Sequence, residues 1–381
     1  MIQYMLSKLE AQARKAVELR TNGNLPAALG AYGLVFEALP FYEELGYGRD
    51  TGNIKRLMLE AQPTPALTLY FHALALFHQR KYQSAADAVS AALLSASEIP
   101  MVHMLQARIL TCLGDLTGAL EAAERAQRLD PASVEAREAL FVAAAEREMP
   151  GEDYYGWLQR FHQWMHPASY VEIGLGHGRS LALPCPETRA VGIDPYQGAW
   201  ERLNYVCPHG PATLFPLTSD DFFAEHDLRE VIGKETFDLA FIDGLHLFEQ
   251  ALKDFINLER YAGKDSVILI HDCLPVAPIV AERERCTGFW TGDVWRIIPC
   301  LKTFRPDLRI YTIPTKPSGL AVVTGLDPES TVLKDNFGSI SEYYPGLNLP
   351  QSTAKRFALL NVLPGNNEEI LKTLPKHVNL D

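Results

Sequence analysis

A glycine-rich turn directly after a short apolar segment constrains the fold of this chain more than any other feature. Residues 169–173 are typical of a strand, and three glycines follow it: Gly174, Gly176 and Gly178. Glycines permit a tight turn and let a ligand approach the backbone. Arg179 stands where a dinucleotide-binding G-x-G-x-x-G pattern has its last glycine. The turn predicts an α/β sheet with a ligand at the end of its first strand, and it disfavours a dinucleotide.

Further apolar segments follow this turn, and helical stretches such as 248–262 separate several of them. We predict strands at residues 190–195, 212–223, 237–244, 266–272, 308–314 and 319–326. Alternation of strands and helices is typical of a mostly parallel sheet that binds ligands at the carboxyl ends of its strands. The last two strands, joined by a short Thr-Lys-Pro-Ser link, are predicted to form a hairpin that adds an antiparallel edge.

Acidic side chains follow the second and the third predicted strand. Asp194 ends the second strand, and Ser219 and Asp220 come after the third. The carboxylate of Asp194 can accept two hydrogen bonds from the diol of a ribose. Ser219 and Asp220 are suited to contact the edge of an adenine. Each residue alone is compatible with an ordinary turn, but their order at successive strand ends favours a nucleoside site.

The pattern E-x-G-x-G-x-G, followed by these two acidic positions, resembles the class I S-adenosylmethionine (SAM)-dependent methyltransferases over residues 150–326. The resemblance implies a Rossmann-like seven-stranded sheet, with one antiparallel strand from the hairpin, and SAM as the cofactor. It also implies which residues bind that cofactor: Glu172, Gly174, Gly176 and Gly178 for the amino-acid part, Asp194 for the ribose, and Ser219 and Asp220 for the adenine region.

Three residues at the ends of the fourth and fifth strands are candidates for chemistry. Asp243 and His246 end the fourth strand, and Asp272 ends the fifth. Methyl transfer requires an aligned acceptor and, for a hydroxyl, a base. Two carboxylates could hold Mg²⁺, which would lower the pKa of the acceptor hydroxyl, and a histidine could take the proton.

This D-x-x-H pattern with an aspartate after strand five resembles the metal-dependent sugar O-methyltransferases that act on macrolides. The resemblance implies that Asp243 and Asp272 bind Mg²⁺ and that His246 is the base. Related enzymes often have a second acid where this chain has His271, a residue whose expected role is packing inside the sheet. Asp243 is also compatible with a SAM site that uses no metal.

A stretch after the fifth strand offers candidate contacts to the methyl acceptor. We predict that Trp290 and Asp293 contact it, because flat aromatic faces suit sugar rings and other planar groups. The alternative is that this stretch only docks the next helix on the sheet.

The N-terminal third repeats itself. Residues 23–40 align with residues 114–131, and a middle copy at 71–94 lies 34 residues before the last one. This period is that of the tetratricopeptide repeat (TPR), in which small side chains allow close helix packing. The resemblance implies an all-α TPR-like domain at 1–148, with an insertion at 41–63. The methyltransferase domain is then expected at 149–326 and a C-terminal extension at 327–381.

Composition limits the partners. A net charge of −12 argues against broad attraction to nucleic acid, and no apolar run approaches the length of a membrane span. The six cysteines form no C-x-x-C pair and are typical of reduced thiols, so we expect a cytoplasmic protein.

The function predicted from these features is O-methylation of a hydroxyl on a sugar, glycan or small molecule. Two alternatives stay open: methylation of a protein recruited by the TPR-like array, and a scaffold without catalysis. The array is compatible with binding a partner peptide, with self-association, or with support of the catalytic domain.

Overall fold

The computed structural model describes residues 2–24, 28, 31, 35, 65–176, 178–195 and 212–364. The chain divides into two compact units, Met1–Arg147 and Glu148–Asp381. Most of the first predicted repeat, the predicted insertion at 41–63 and the end of the C-terminal extension lie outside the described residues. Within them, no helix has both the length and the apolar character needed to cross a membrane.

The first unit is helical wherever the structure describes regular elements. Its helices are α1 (Ile2–Thr21), α2 (Pro65–His78), α3 (Tyr82–Ala96), α4 (Pro100–Leu113), α5 (Leu116–Leu129) and α6 (Val134–Glu148), the last ending where the second unit begins. Helices α2 and α3 pack as one pair, and α4 and α5 as the next.

Alanines with the predicted spacing lie in the core of this helical unit. Ala85 and Ala92 of α3 are buried, and so are Ala119 and Ala126, their counterparts 34 residues later in α5. Side chains this small let neighbouring helices approach closely, as stacked repeats require. An all-α N-terminal unit is therefore confirmed, whereas its assignment to the TPR class stays a prediction.

The second unit contains a seven-stranded sheet, as predicted. The strands are β1 (Ser169–Ile173), β2 (Arg189–Ile193), β3 (Ala212–Phe215), β4 (Phe237–Ile242), β5 (Ala262–His271), β6 (Arg309–Ile313) and β7 (Leu320–Thr324). Their order is β3-β2-β1-β4-β5-β7-β6. Strands β1 to β5 are parallel, and β7 runs antiparallel to both β5 and β6.

The predicted hairpin forms one edge of the sheet and pairs antiparallel with β5. Strand β7 lies between β5 and β6, and β6 forms the edge. All five residues of β7 are buried, whereas β6 begins with exposed Arg309 and is partly open at Tyr311. The uniformly buried strand therefore occupies the interior place, where both faces are covered.

The third strand is shorter than predicted, because a helix begins where residues 219–223 were expected to continue it. Pro216 has no backbone N–H to donate to a neighbouring strand. Thr218 then accepts a hydrogen bond from the backbone N–H of Asp221 at 3.1 Å and so caps the next helix. This change brings Ser219 and Asp220 to the first turn of a helix rather than to the end of a strand.

The α-helices that the structure describes in the second unit are α7 (Tyr154–Met165), α8 (Ser219–Glu225), α9 (Leu228–Ile232), α10 (Phe248–Glu259), α11 (Ile297–Phe304), α12 (Val332–Asp335), α13 (Phe337–Tyr343) and α14 (Thr353–Leu359). Helix α10 packs on β4 and β5 through apolar side chains that recur every three or four residues, such as Leu252 and Phe255. The C-terminal segment joins this unit, since the N–H of Leu363 donates to the carbonyl oxygen of Thr312 in β6 at 2.9 Å.

Candidate functional site

The glycine turn after β1 is held against the end of β4. Gly174 has a φ of +85°, in the left-handed region that favours glycine. A methyl group on Gly174 would lie 2.1 Å from the backbone oxygen of Asp243, so no other residue fits. Gly176 also has a positive φ, +50°, but none of the described residues has an atom within 4 Å of a methyl group placed there. The turn is thus fixed on one side by β4 and open on the other.

A cavity of about 730 Å³ lies at the carboxyl ends of β1, β2 and β4. Its volume is within the range of about 300–1,000 Å³ that small-molecule sites usually have. Its walls include five residues that the sequence predicted to bind a cofactor: Gly174, Gly176, Asp194, Ser219 and Asp220.

Asp194 is fixed in this cavity by the glycine turn. Its Oδ2 accepts a hydrogen bond from the backbone N–H of Leu175 at 2.7 Å. Its own N–H donates to the carbonyl oxygen of Phe215 at 3.1 Å, which ties the end of β2 to the end of β3. The carboxylate at the tip of β2 is therefore oriented before any ligand arrives.

Two predicted cofactor residues lie behind the cavity wall. Glu172 is fully buried and accepts hydrogen bonds from the hydroxyls of Tyr170 and Ser180, of which Ser180 lines the cavity. Burial raises the pKa of Glu172 to about 8, although both hydroxyls act in the opposite direction. Gly178 closes the turn by donating its N–H to the carbonyl oxygen of Leu175.

A hydrogen-bonded polar cluster forms the wall of the cavity between α8 and α10. The Ser219 hydroxyl donates to Oδ1 of Asp254 at 2.6 Å, and the Gln250 amide donates to Ser219, Asp220 and Asp254. Lys253 pairs with Asp220 at 2.9 Å. Burial raises the pKa of Asp254 to about 6, against the opposing effect of the two hydrogen bonds.

The structure brings Asp243, His246 and Asp272 together, as the sequence predicted. One potential ligand atom from each lies within 4.8 Å of the others. Nδ1 of His246 is 2.9 Å from Oδ2 of Asp272, and its Nε2 is 3.9 Å from Oδ1 of Asp243. The shorter contact does not have the geometry of an aligned hydrogen bond. Burial alone would lower the pKa of His246, but the two carboxylates raise it.

His271 belongs to this acidic cluster rather than only to the packing of the sheet. Its Nδ1 lies 3.0 Å from Oδ1 of Asp243, and its ring packs on that of Tyr154 with centroids 4.1 Å apart. Burial acts to lower the pKa of His271, but the charges of Asp243 and Asp272 outweigh it and raise the pKa to about 9. The place that an acid often has in related enzymes therefore holds a buried histidine in contact with Asp243.

Asp272 is held in an uncommon backbone conformation beside the histidines. Its φ is +59°, a value that non-glycine residues seldom adopt. The Ser318 hydroxyl donates a hydrogen bond to its carboxylate. Strain of this kind persists only where the surroundings enforce it, which is typical of functional sites.

The two predicted acceptor contacts differ in their surroundings. The Trp290 ring stacks on that of His246, with centroids 5.1 Å apart and planes at 7°. Asp293 is fully buried, and its carboxylate accepts the N–H of Phe248 at the start of α10 and pairs with Arg283 and Arg296. The structure thus brings Trp290 to the histidine, while Asp293 caps a helix and joins it to two arginines.

Several residues of the cavity wall escaped the sequence analysis. Asp254 and Gln250 lie one turn apart on α10, and Tyr154 and Tyr155 begin α7. The one available signal was an acid, Asp254, among apolar residues on the buried face of an amphipathic helix. The tyrosines gave no such signal, because aromatic residues on a helix more often belong to the core.

A test of this architecture is the pair Gly174→Ala and Gly176→Ala. The first should reduce the free energy of unfolding of the second unit by about 2–3 kcal/mol, because it combines left-handed strain with a clash against β4. The second should cost about 1 kcal/mol, since its methyl group has room. All five tryptophans lie between residues 157 and 295, so tryptophan fluorescence during urea unfolding monitors this unit alone. Equal costs for the two variants would contradict the close contact at Gly174.

The sheet order, the antiparallel β7 and the cavity at the strand ends define the second unit as a class I methyltransferase fold. Residues 171–273, which span β1 to the end of β5, match the family of the methyltransferase domain. A comparison with curated protein sequences found no match.

Several solved methyltransferases resemble part of the chain. TomG, an O-methyltransferase from Streptomyces achromogenes involved in tomaymycin synthesis and solved with SAM, is 16% identical over 48% of this chain and 86% of its own, with a TM-score of 0.35. An O-methyltransferase from Bacillus cereus solved with S-adenosylhomocysteine (SAH) is 17% identical over 47% and 86%, with a TM-score of 0.32. Identities this low leave the chemistry of the site to be derived from its own residues.

Proposed function

We propose that the second unit is a SAM-dependent O-methyltransferase that acts on a hydroxyl of a sugar, glycan or small molecule. One observation carries the proposal: a single cavity has a glycine turn and Asp194 on one side and the cluster of Asp243 and His246 on the other. The first group suits a nucleoside and an amino-acid tail. The second suits removal of a proton from an acceptor.

The residues on the cofactor side fit SAM. The open side of Gly176 leaves room for a ligand against the backbone. Asp194, already oriented by Leu175, presents a carboxylate that suits a ribose diol. When bound, SAM supplies an activated methyl group on a positively charged sulfur. The chain then needs only to hold the acceptor in line and to manage its proton.

The residues on the acceptor side fit a divalent cation, because Asp243 and Asp272 offer carboxylate oxygens close together. We propose that the two aspartates hold Mg²⁺, which would supply positive charge that lowers the pKa of an acceptor hydroxyl.

We propose that His246 is the base. Its Nδ1 faces Asp272, so Nε2 is the nitrogen left to take a proton from an acceptor. Asp272 stabilises the imidazolium that results, because opposite charges at short range favour the charged form of the ring. Trp290 restrains the ring by stacking on it.

For the helical unit we propose a TPR-type array. The 34-residue spacing of its buried alanines supports this class. Its role, as a site for a partner protein or for self-association, is not part of the catalytic proposal.

Titration calorimetry with SAM, SAH and NAD, with and without Mg²⁺, tests the proposed function. We expect SAM and SAH to bind and NAD not to bind, since the turn lacks the dinucleotide spacing. Mg²⁺ should bind to wild type and to the control variant Asp265→Asn, which changes an exposed residue of β5, but not to Asp272→Asn. Absence of SAM and SAH binding would overturn the enzymatic proposal. SAM binding without any binding of Mg²⁺ would exclude the proposed metal site and leave the proposed SAM site and the His246 base in place.

The acceptor class can be found by labelling. Radiolabelled methyl groups from SAM should enter the glycan or small-molecule fraction of a cell extract when the protein is added. Label confined to the protein fraction would replace the proposed acceptor with a protein.

A further inference from the structure

The polar wall of the cavity beside α8 and α10 offers acceptors of hydrogen bonds more than donors. The Ser219 hydroxyl already donates a hydrogen bond to Asp254. The Gln250 amide, at 3.0–3.1 Å, is shared among Ser219, Asp220 and Asp254. Among the described residues, these side-chain donors thus already have partners within the cluster. The wall can therefore accept hydrogen bonds from a ligand through its oxygen lone pairs.

Asp254 is the residue of this wall best placed to use such a lone pair. It lines the cavity although only 1% of its surface is exposed. Its two hydrogen bonds, from Ser219 and Gln250, both reach Oδ1. Its Oδ2 lies on the side of Gly244, where a methyl group added to that glycine would be 3.8 Å away. A carboxylate accepts up to about four hydrogen bonds, so this one has capacity for a ligand N–H.

The other acid of the wall is already neutralised. Asp220 receives the ammonium of Lys253 at 2.9 Å as well as the Gln250 amide, and its side chain is 46% exposed. Within the part of the chain that the structure describes, Asp254 has no such cation at hydrogen-bond distance, and burial makes its charge costly. A donor from a ligand would therefore stabilise Asp254 more than Asp220.

We propose that Asp254 selects the base of the cofactor, accepting a hydrogen bond from the exocyclic amino group of adenine and rejecting purines that carry a carbonyl there. The inference rests on the proposed function, because it places a nucleoside between Asp194 and this wall. A 6-oxo purine would bring an acceptor against an acceptor, and a site built to bind a donor discriminates strongly against such analogues. This proposal assigns base recognition to a residue of α10 as well as to the first turn of α8.

The test is calorimetry with SAH and with S-inosylhomocysteine, in which a carbonyl replaces the amino group. Wild type should bind SAH about 10- to 100-fold more tightly, as a hydrogen bond to a charged group implies. The variant Asp254→Asn should reduce this ratio to about threefold or less, because an amide offers both a donor and an acceptor. The control Asp265→Asn, far along β5, should keep the wild-type ratio.

A second measurement uses wild type alone and guards against a variant that does not fold. The ratio of the two affinities should fall about tenfold between pH 8 and pH 5, because protonation gives the Asp254 carboxyl an O–H donor that the carbonyl of S-inosylhomocysteine can accept. Asp220 and Lys253, the charged groups that face Asp254 from α8 and α10, affect both ligands alike and cancel in the ratio.

Each outcome is decisive. Equal affinity of wild type for both ligands would overturn the role of Asp254 and leave the proposed function intact. Discrimination that persists in folded Asp254→Asn would do the same. Failure of wild type to bind either ligand would overturn the proposed function itself.

Discussion

His246→Ala is expected to lower the rate of methyl transfer by about 10²- to 10⁴-fold, the usual contribution of a positioned base. The affinity for SAH should change by about threefold at most, because the ring lies on the acceptor side of the cavity. In wild type the His246 ring stacks on Trp290, and its positive charge after proton transfer is stabilised by Asp272. Loss of the ring should therefore remove proton transfer while the residues that bind the cofactor stay in place. Single-turnover transfer from radiolabelled SAM into the fraction that wild type labels, together with SAH calorimetry, measures both quantities.

Chemical rescue separates a base from a structural residue. Added imidazole should restore part of the rate to His246→Ala, since the small ring can fill the space beside Asp272, and it should not accelerate wild type. Asp243→Ala should also lose transfer, yet imidazole should not restore it, because the missing group is a carboxylate. Wild-type rates in His246→Ala would exclude this residue as the base, and rescue of both variants would show that imidazole acts elsewhere.

The sequence was sufficient to predict which strand ends meet. Gly174, Asp194, Asp243 and Asp272 each follow an apolar segment, and parallel strands bring their carboxyl ends to one edge of the sheet. Local pattern and one topological rule are therefore enough to predict that these residues lie close together. The sheet itself confirms the predicted fold class.

Residues on helices could not be placed in the same way. Asp254 is the clearest example, because an acid on the buried face of α10 becomes a cavity residue only when α8 packs beside it. Asp293 shows the opposite case. Its partner, the N–H of Phe248, lies 45 residues earlier in the chain, and no local pattern reveals such a cap. Which of the two hairpin strands pairs with β5 is also not decided by sequence order. It depends on how fully each strand is buried.

A pH series on Glu172→Gln is expected to show the second large effect. The folded pKa of Glu172, about 8, is above its usual value of 4.5, so the folded chain keeps a proton that the unfolded chain releases. This group therefore stabilises the fold fully below pH 4.5, and the contribution is lost as pH rises toward 8. Glutamine cannot ionise, so the free energy of unfolding of the variant relative to wild type should rise by about 4–5 kcal/mol between pH 4.5 and pH 9. Urea unfolding followed by tryptophan fluorescence measures the difference at each pH.

Subtracting the two proteins at each pH removes the titration of groups that both retain, including His246 and His271. Glu187→Gln, a change of the same chemistry at an exposed position, should stay parallel to wild type throughout. A constant difference between Glu172→Gln and wild type would mean that the Glu172 carboxyl is ionised over the whole range. In that case the hydroxyls of Tyr170 and Ser180 would outweigh burial, and a negative charge would stand directly behind the glycine turn, where it would attract the ammonium group of the cofactor.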